Sequence, residues 1–228
     1  MGPRSCGAAG LLAAAGAVAL AVLGAELRVW VTGWGGSGRL GGESVWAGAH
    51  IRDAAGHVVG PGELEGRVVL AVNVASQCGL TQAQYPGLVA LHEKFAPDLE
   101  VLAFPCNQFG AQEPGSSEDV AEFARREHGA NFRVMEKVSI NGGSGEGADK
   151  LWDRLKDAAG THPLTGPLVG GDVVWNFEKI LVDRKGRVRG RFLPTTPPVL
   201  LERAVKVLLA EGVPGGVPGA DGAERAPS

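Results

Sequence analysis

Asn73-Val74-Ala75-Ser76-Gln77-Cys78-Gly79-Leu80-Thr81 is the stretch on which the reading of this chain turns. An apolar run of strand length, Val68 to Val72, leads into it. Gln82 to Phe95 follows, with Tyr85, Leu88, Leu91, His92 and Phe95 at helical spacing. The order is strand, tight turn, helix, and it puts Cys78 at the corner. The unpaired N–H groups of a first helical turn, with the positive end of the helix dipole, favour a thiolate over a thiol there. A thiolate so placed is a nucleophile.

Outward from this corner, Pro97 ends the helix and Leu99 to Phe104 reads as a second central strand, stopped by Pro105. Cys106 to Gly115 is a loop. Ser116-Ser117-Glu118-Asp119 matches a capping box ahead of a helix over Asp119 to His128, whose apolar side is Val120, Phe123 and Ala124. Phe132 to Ile140 reads as extended and Ala148 to Ala158 as a third helix. Gly160 to Gly171 is loop. Val173 to Val182 and Arg187 to Leu193 flank Asp183-Arg184-Lys185-Gly186 as an antiparallel hairpin. Val199 to Leu209 is a closing helix after Pro197-Pro198. Upstream, Ser44 to His50 and His57 to Val59 flank the turn Asp53-Ala54-Ala55-Gly56 as a first hairpin, and Pro61-Gly62 is a second turn. Strands alternating with helices, then a hairpin and a helix, give an α/β thioredoxin-like three-layer sandwich. A central mixed sheet is flanked by helices, with an N-terminal β-hairpin.

The ends are of another kind. Residues 7–25 carry no charged or polar side chain, and Arg4 is the only charge before them. As a helix this run would rise about 28 Å, close to a bilayer core. It is mostly Ala and Gly, so residues 1–25 are expected to be a signal peptide or a membrane anchor, with an organelle transit peptide as the third option. Either of the first two implies the secretory pathway or a membrane-anchored protein, with residues 7–25 as the membrane contact. Glu26 to Gly42 is a Gly-rich linker, 43–210 the folded domain, and 211–228 a Gly/Pro-rich disordered tail. The 228 residues carry a formal net charge of −3, which gives no reason to expect nucleic-acid binding. Only Cys78 and Cys106 of the three cysteines fall in the domain, too few for a disulfide scaffold and without the spacing of a metal site.

Three loops converge outside the carboxyl ends of the parallel strands. The first bears Cys78. The second runs from Phe104 to Gly115 and bears Gln112. The third, Val174-Trp175-Asn176-Phe177, opens the late hairpin. A thiol, two amides and an indole N–H suit attack on a peroxide: neutral donors stabilise the thiolate and the departing oxyanion without quenching the nucleophile.

NVASQCGLT, LAFPCNQFGAQEPG and WNFEKILVDRKG resemble, in order and spacing, the three signature segments of the glutathione peroxidase family. The resemblance spans about Glu43 to Leu209. It implies that Cys78 is the peroxidatic residue, with Gln112, Trp175 and Asn176 as its catalytic partners. The implied reaction is reduction of hydrogen peroxide or organic and lipid hydroperoxides through a Cys78 sulfenic acid, a part of the response to oxidative stress, with glutathione or thioredoxin as reducing co-substrate. No cofactor or metal is implied. The stretch Ala124 to Phe132, where thioredoxin-reduced members have a further cysteine, has none. Cys106 is then either a packed thiol or a resolving cysteine. A loop at Thr161 to Asp172 shorter than in tetrameric members implies a monomer. Arg187, Arg189 and Arg191 share one strand face and are either a solvated hairpin end or a patch for the carboxylates of glutathione or anionic lipid head groups. The rival reading is a redox sensor or relay protein that passes oxidation from Cys78 to a partner protein.

Overall fold

The computed structural model describes residues 43–142, 148–161, 165 and 170–211, all within one compact unit, Gly38–Ser228. The leader, the linker, nearly all of the tail and most of the loop before Asp172 lie outside the described residues.

In chain order the elements are β1 (Ile51–Arg52), β2 (Val58–Val59), α1 (Pro61–Leu64), β3 (Val68–Val74), α2 (Thr81–Phe95), β4 (Leu99–Pro105), α3 (Ser117–His128), β5 (Arg133–Val134), α4 (Ala148–Ala159), β6 (Lys179–Val182), β7 (Val188–Phe192), a 3-10 turn (Pro198–Leu201) and α5 (Glu202–Ala210). The main sheet runs β5-β4-β3-β6-β7, with β1 and β2 forming a separate pair. β3 and β4 are buried at every residue and pair in parallel, Val72 against Ala103 and Val74 against Pro105. Runs this apolar, broken only by Asn73 and Glu100, sit where both faces of a sheet are covered. Alternation then divides them. Val69, Ala71, Leu102 and Phe104 join Trp152 and Leu155 of α4 on one side. Helix α2 and the 3-10 turn pack together; a Cβ at Gly87 would lie 2.9 Å from Pro198. The result is the three-layer α/β, thioredoxin-like arrangement with a small N-terminal two-stranded sheet that the sequence implies.

Local chemistry sets the boundaries. Ser116 caps α3 by accepting from the Asp119 N–H at 3.1 Å, while the Asp119 carboxylate accepts from the Ser116 N–H at 2.9 Å. The helix thus starts two residues before the expected Asp119. Gly129, in the left-handed region at φ 66°, ends it. Three expectations need correction. Ser44 to His50 is a turn rather than a strand: Ser44 Oγ accepts from the Trp46 N–H at 3.2 Å, and Gly48 at φ 65° turns the chain. Pro61-Gly62 opens a short helix, with proline at its first position. The late hairpin starts at Lys179 rather than Val173, because side chains of Asn73, Asn141 and Glu178 take most of the backbone groups of the segment before it.

The basic stripe is also spent within the fold. Arg187 and Arg189 pair with the buried Asp183 at 2.8 and 3.1 Å, and Arg189 also reaches Glu211. Arg191 pairs with buried Glu178 and donates to the carbonyls of Gly160, Gly171 and Asp172. The shared face is real, but it is a structural comb and not an open anion patch.

Candidate active site

The thiol corner forms as the residue pattern dictates. β3 ends at Val74, and α2 begins at Thr81 with Leu80 as its N-cap. Leu80 has no capping side chain, and its own N–H points at Cys78 Sγ, 3.5 Å away. Thr81 N–H donates to the Cys78 carbonyl at 3.0 Å, and Thr81 Oγ1 donates to Ala75 O at 2.7 Å, so the turn is closed on both sides of the sulfur. Cys78 is 7% exposed, enough for a small oxidant to touch.

Gln112 arrives on the loop after β4. Gly110 (φ 67°) and Ala111 (φ 52°) both take left-handed backbone just before it. Such a conformation is disfavoured for alanine by roughly 1 kcal/mol or more and persists only where the surroundings hold it. Asn176 supplies one restraint by donating from Nδ2 to Gln112 Oε1 at 3.0 Å. Gln77 supplies another, its N–H donating to Gln112 O at 3.0 Å. With Oε1 occupied, the Nε2 hydrogens of Gln112 are left to donate. Trp175 comes against the same loop: a Cβ on Gly110 would lie 3.3 Å from its Cη2 and 3.5 Å from Gln112 Cδ. The indole packs beside Phe109, with ring centroids 6.2 Å apart, and remains 40% exposed. Asn176 is fully buried, and its Oδ1 has no protein partner.

The structure therefore bonds Gln112 to Asn176, sets Trp175 against the Gly110 turn beside them, and ties the Gln112 loop to the Cys78 turn. Cys106 belongs elsewhere. It is fully buried in the core cluster with Phe104, Val138 and Trp152, and its Sγ donates to Gln108 Oε1 at 3.5 Å.

Sequence reasoning missed the residues beneath the site. Asn73 sits inside what reads as an apolar strand, yet its Nδ2 donates to Trp175 O at 3.0 Å and its Oδ1 accepts from the Glu178 N–H at 2.9 Å. Its carbonyl accepts from the Phe177 N–H at 2.7 Å, and Phe177 takes φ 67°. Glu178 holds Val174 N–H at 3.0 Å. A polar residue in an otherwise apolar strand was the one available signal. Glu113 is the second omission. It is fully buried, accepting from Ser76 N–H and Ser76 Oγ, both at 2.7 Å. Burial pushes its carboxyl upward, further than the Ser76 hydrogen bonds and the Lys137 charge pull it down. Among the described residues, no group of three or more His, Cys, Asp or Glu could hold a metal ion, and no helix is long and apolar enough to cross a membrane.

Comparison with known proteins gives a consistent picture. The family model described as glutathione peroxidase matches residues 48–156. A "Probable phospholipid hydroperoxide glutathione peroxidase" of Citrus sinensis is 44% identical over 160 residues, 70% of this chain and 90% of that protein. Two Arabidopsis thaliana proteins are similar over 70% of this chain. "Phospholipid hydroperoxide glutathione peroxidase 1, chloroplastic" is 43% identical, with 64% of its length covered. "Probable phospholipid hydroperoxide glutathione peroxidase 6, mitochondrial" is 44% identical, with 65% covered. Among solved structures, Trgpx in apo form superposes with a TM-score of 0.57 at 32% identity, covering 75% of this chain and 98% of that one.

Proposed function

The chain belongs to the glutathione peroxidase family and is a thiol-dependent peroxidase of that type; on that premise we propose that Cys78 is the peroxidatic nucleophile and that Gln112, Trp175 and Asn176 are its catalytic partners. The observation that carries this reading is the Asn176–Gln112 hydrogen bond at 3.0 Å, joined to the Cys78 turn through Gln77 N–H. It draws residues from two loops 64 positions apart together, on a loop bonded to the turn that carries Cys78.

Cys78 sulfur attacks one oxygen of the hydroperoxide. The S–O bond forms as the O–O bond breaks, and the other oxygen leaves as water or an alcohol after taking the proton given up by the thiol. Gln112 Nε2 and the Trp175 indole N–H stabilise the charge growing on that oxygen. Asn176 keeps Gln112 oriented and offers its unpaired Oδ1 to an O–H or S–H in the site. Cys78 is left as a sulfenic acid, oxidised by two electrons. One external thiol attacks it with loss of water, and a second releases the mixed disulfide and restores Cys78. The reductant is external, glutathione or a thioredoxin-like protein, because Cys106 is packed in the core and Ala124 to Phe132 holds no cysteine.

Trp175 is 40% exposed, and the apolar surface it offers supports organic and phospholipid hydroperoxides as well as hydrogen peroxide. The relatives' names point to the same substrate class. Residues 1–25 are read as an address. The chloroplastic and mitochondrial relatives favour the organelle option over the secretory one. The short stretch from Thr161 to Asp172 supports a monomer.

Stopped-flow peroxide consumption by the protein, with glutathione and with thioredoxin supplied separately, tests the reading. Turnover that requires Cys78 is expected. Turnover surviving Cys78→Ser would sink the site assignment. Oxidation of Cys78 with no turnover on either reductant would favour the relay reading.

A further inference from the structure

We propose that Glu113 is a positioning residue of this reaction, whose buried carboxylate fixes the Cys78 turn at its working distance from the Gln112 amide. The inference rests on the proposed roles of Cys78 and Gln112. Glu113 grips the thiol turn twice, at Ser76 N–H and Ser76 Oγ, two residues before the sulfur. It is itself gripped twice. Its N–H donates to Asn107 Oδ1 at 2.8 Å, and its carbonyl accepts from Lys137 Nζ at 2.8 Å. Lys137 also reaches the Gly115 carbonyl. Gln112 is the preceding residue, so the same peptide that anchors Glu113 carries the amide donor.

The geometry asks for such an anchor. Gly110 and Ala111 hold left-handed backbone immediately before Gln112, a run that relaxes unless something pins its far end. The carboxylate does so at a cost, since a buried charge loses its hydration. Tyr85 shows how dry the surroundings are. Its hydroxyl is buried without a partner, and its ionisation is pushed far up, first by burial and then by the Glu113 charge. A loop needing only to be closed could be closed by a neutral amide. A charge-assisted pair of bonds is shorter and stiffer than neutral ones, which is what fixing a donor within a fraction of an ångström requires.

The test uses the full chain and two reactions of the same sulfur. Oxidation by hydrogen peroxide needs both the thiol and the Gln112 donor. Alkylation by iodoacetamide, read on the Cys78 peptide by mass spectrometry, needs only the thiol. Glu113→Gln is expected to slow oxidation about 10–100-fold and to leave alkylation within about threefold. Ser76→Ala is expected to slow oxidation in the same direction by about 3–10-fold. In the double variant Glu113→Gln/Gln112→Ala, oxidation should be no more than about threefold slower than in Gln112→Ala alone, because Glu113 acts through Gln112. Losses that multiply, alkylation that falls in step with oxidation, or oxidation unchanged in Glu113→Gln would each overturn the proposal. Should Glu113→Gln fail to fold by circular dichroism, Ser76→Ala decides alone, and an unchanged oxidation rate overturns it. Cys78→Ser runs alongside. Peroxide consumption that persists there defeats the site reading itself, a separate failure.

Discussion

Asn73→Ala probes whether the Trp175-Asn176 segment is held from below. The wild-type side chain is fully buried and closes two bonds to a segment more than 100 residues away, Nδ2 to Trp175 O and Glu178 N–H to Oδ1. Alanine leaves one carbonyl and one N–H in the interior without partners, at about 1–3 kcal/mol each. The two sit on one short segment and relax together, so the expected loss is about 2–4 kcal/mol rather than the full sum. At roughly 2–4 °C per kcal/mol for a domain of this size, the midpoint should fall by about 4–16 °C. Chemistry should suffer separately, because Trp175 and Asn176 lose their footing; a shift of 1 Å in a reacting group is worth about 100-fold in rate. Leu155→Ala is the control. It is buried in the hydrophobic core, forms no part of the Asn73 bridge, and should lose a comparable 2–5 kcal/mol. Thermal unfolding gives the stability arm, and the rate of Cys78 oxidation per folded molecule gives the other. If Asn73→Ala behaves like Leu155→Ala, losing stability and keeping its rate, the bridge is a brace for the fold and nothing more. A stability loss under about 0.5 kcal/mol would refute the hydrogen-bond reasoning itself.

Three further outcomes are expected. Gly110→Ala adds a Cβ at φ 67° and within 3.3 Å of Trp175, so peroxide oxidation should slow about tenfold or more, while far-ultraviolet circular dichroism stays unchanged. Cys106→Ala should leave turnover with an external thiol within twofold and lower stability by about 1–2 kcal/mol; a collapse of turnover in steady-state assays would make Cys106 a resolving residue. Asp183 gives a pH test. Burial acts to raise its carboxyl but is outweighed by the bonds from the Arg187 side chain and backbone, Arg189 and Lys185, so its folded value lies below the usual carboxylate range. A depressed carboxyl contributes stability above the unfolded value, about 3.9, and loses it as pH falls through the folded one. Denaturant midpoints below about pH 4 should therefore fall more steeply in wild type than in Asp183→Asn.

How much of this was legible depends on whether the cause was local. Val68–Val74 and Leu99–Pro105 declare two-sided burial by composition alone, and Ser116 with Asp119 declares a cap within four residues. The thiol corner could be read for the same reason, since strand, turn and helix are consecutive. The segment Val173 to Phe177 reads as strand because most of its residues are β-formers, and it is not one because the side chains of Asn73, Asn141 and Glu178 take backbone groups a ladder would need. Glu113 looks like an exposed loop acid until Ser76 is brought against it. The arginine stripe was visible in its alternation, but its partners Glu178, Asp183 and Glu211 lie on three separate segments.

The mixed pairing of the sheet has a consequence for how this protein is made. β3 runs parallel to β4 but antiparallel to β6, so the site is built from the exit of the early strands and the entrance of the last hairpin. A nascent chain that has emerged only as far as Ala159 already contains Cys78, Gln112 and the βαβ unit that brings them near. It lacks Trp175 and Asn176. On the proposed roles, the cysteine is synthesised early and equipped late, and it meets its donors only when the final strands dock. Half-made chains would then carry an ordinary thiol through an oxidising moment that the finished protein is built to consume.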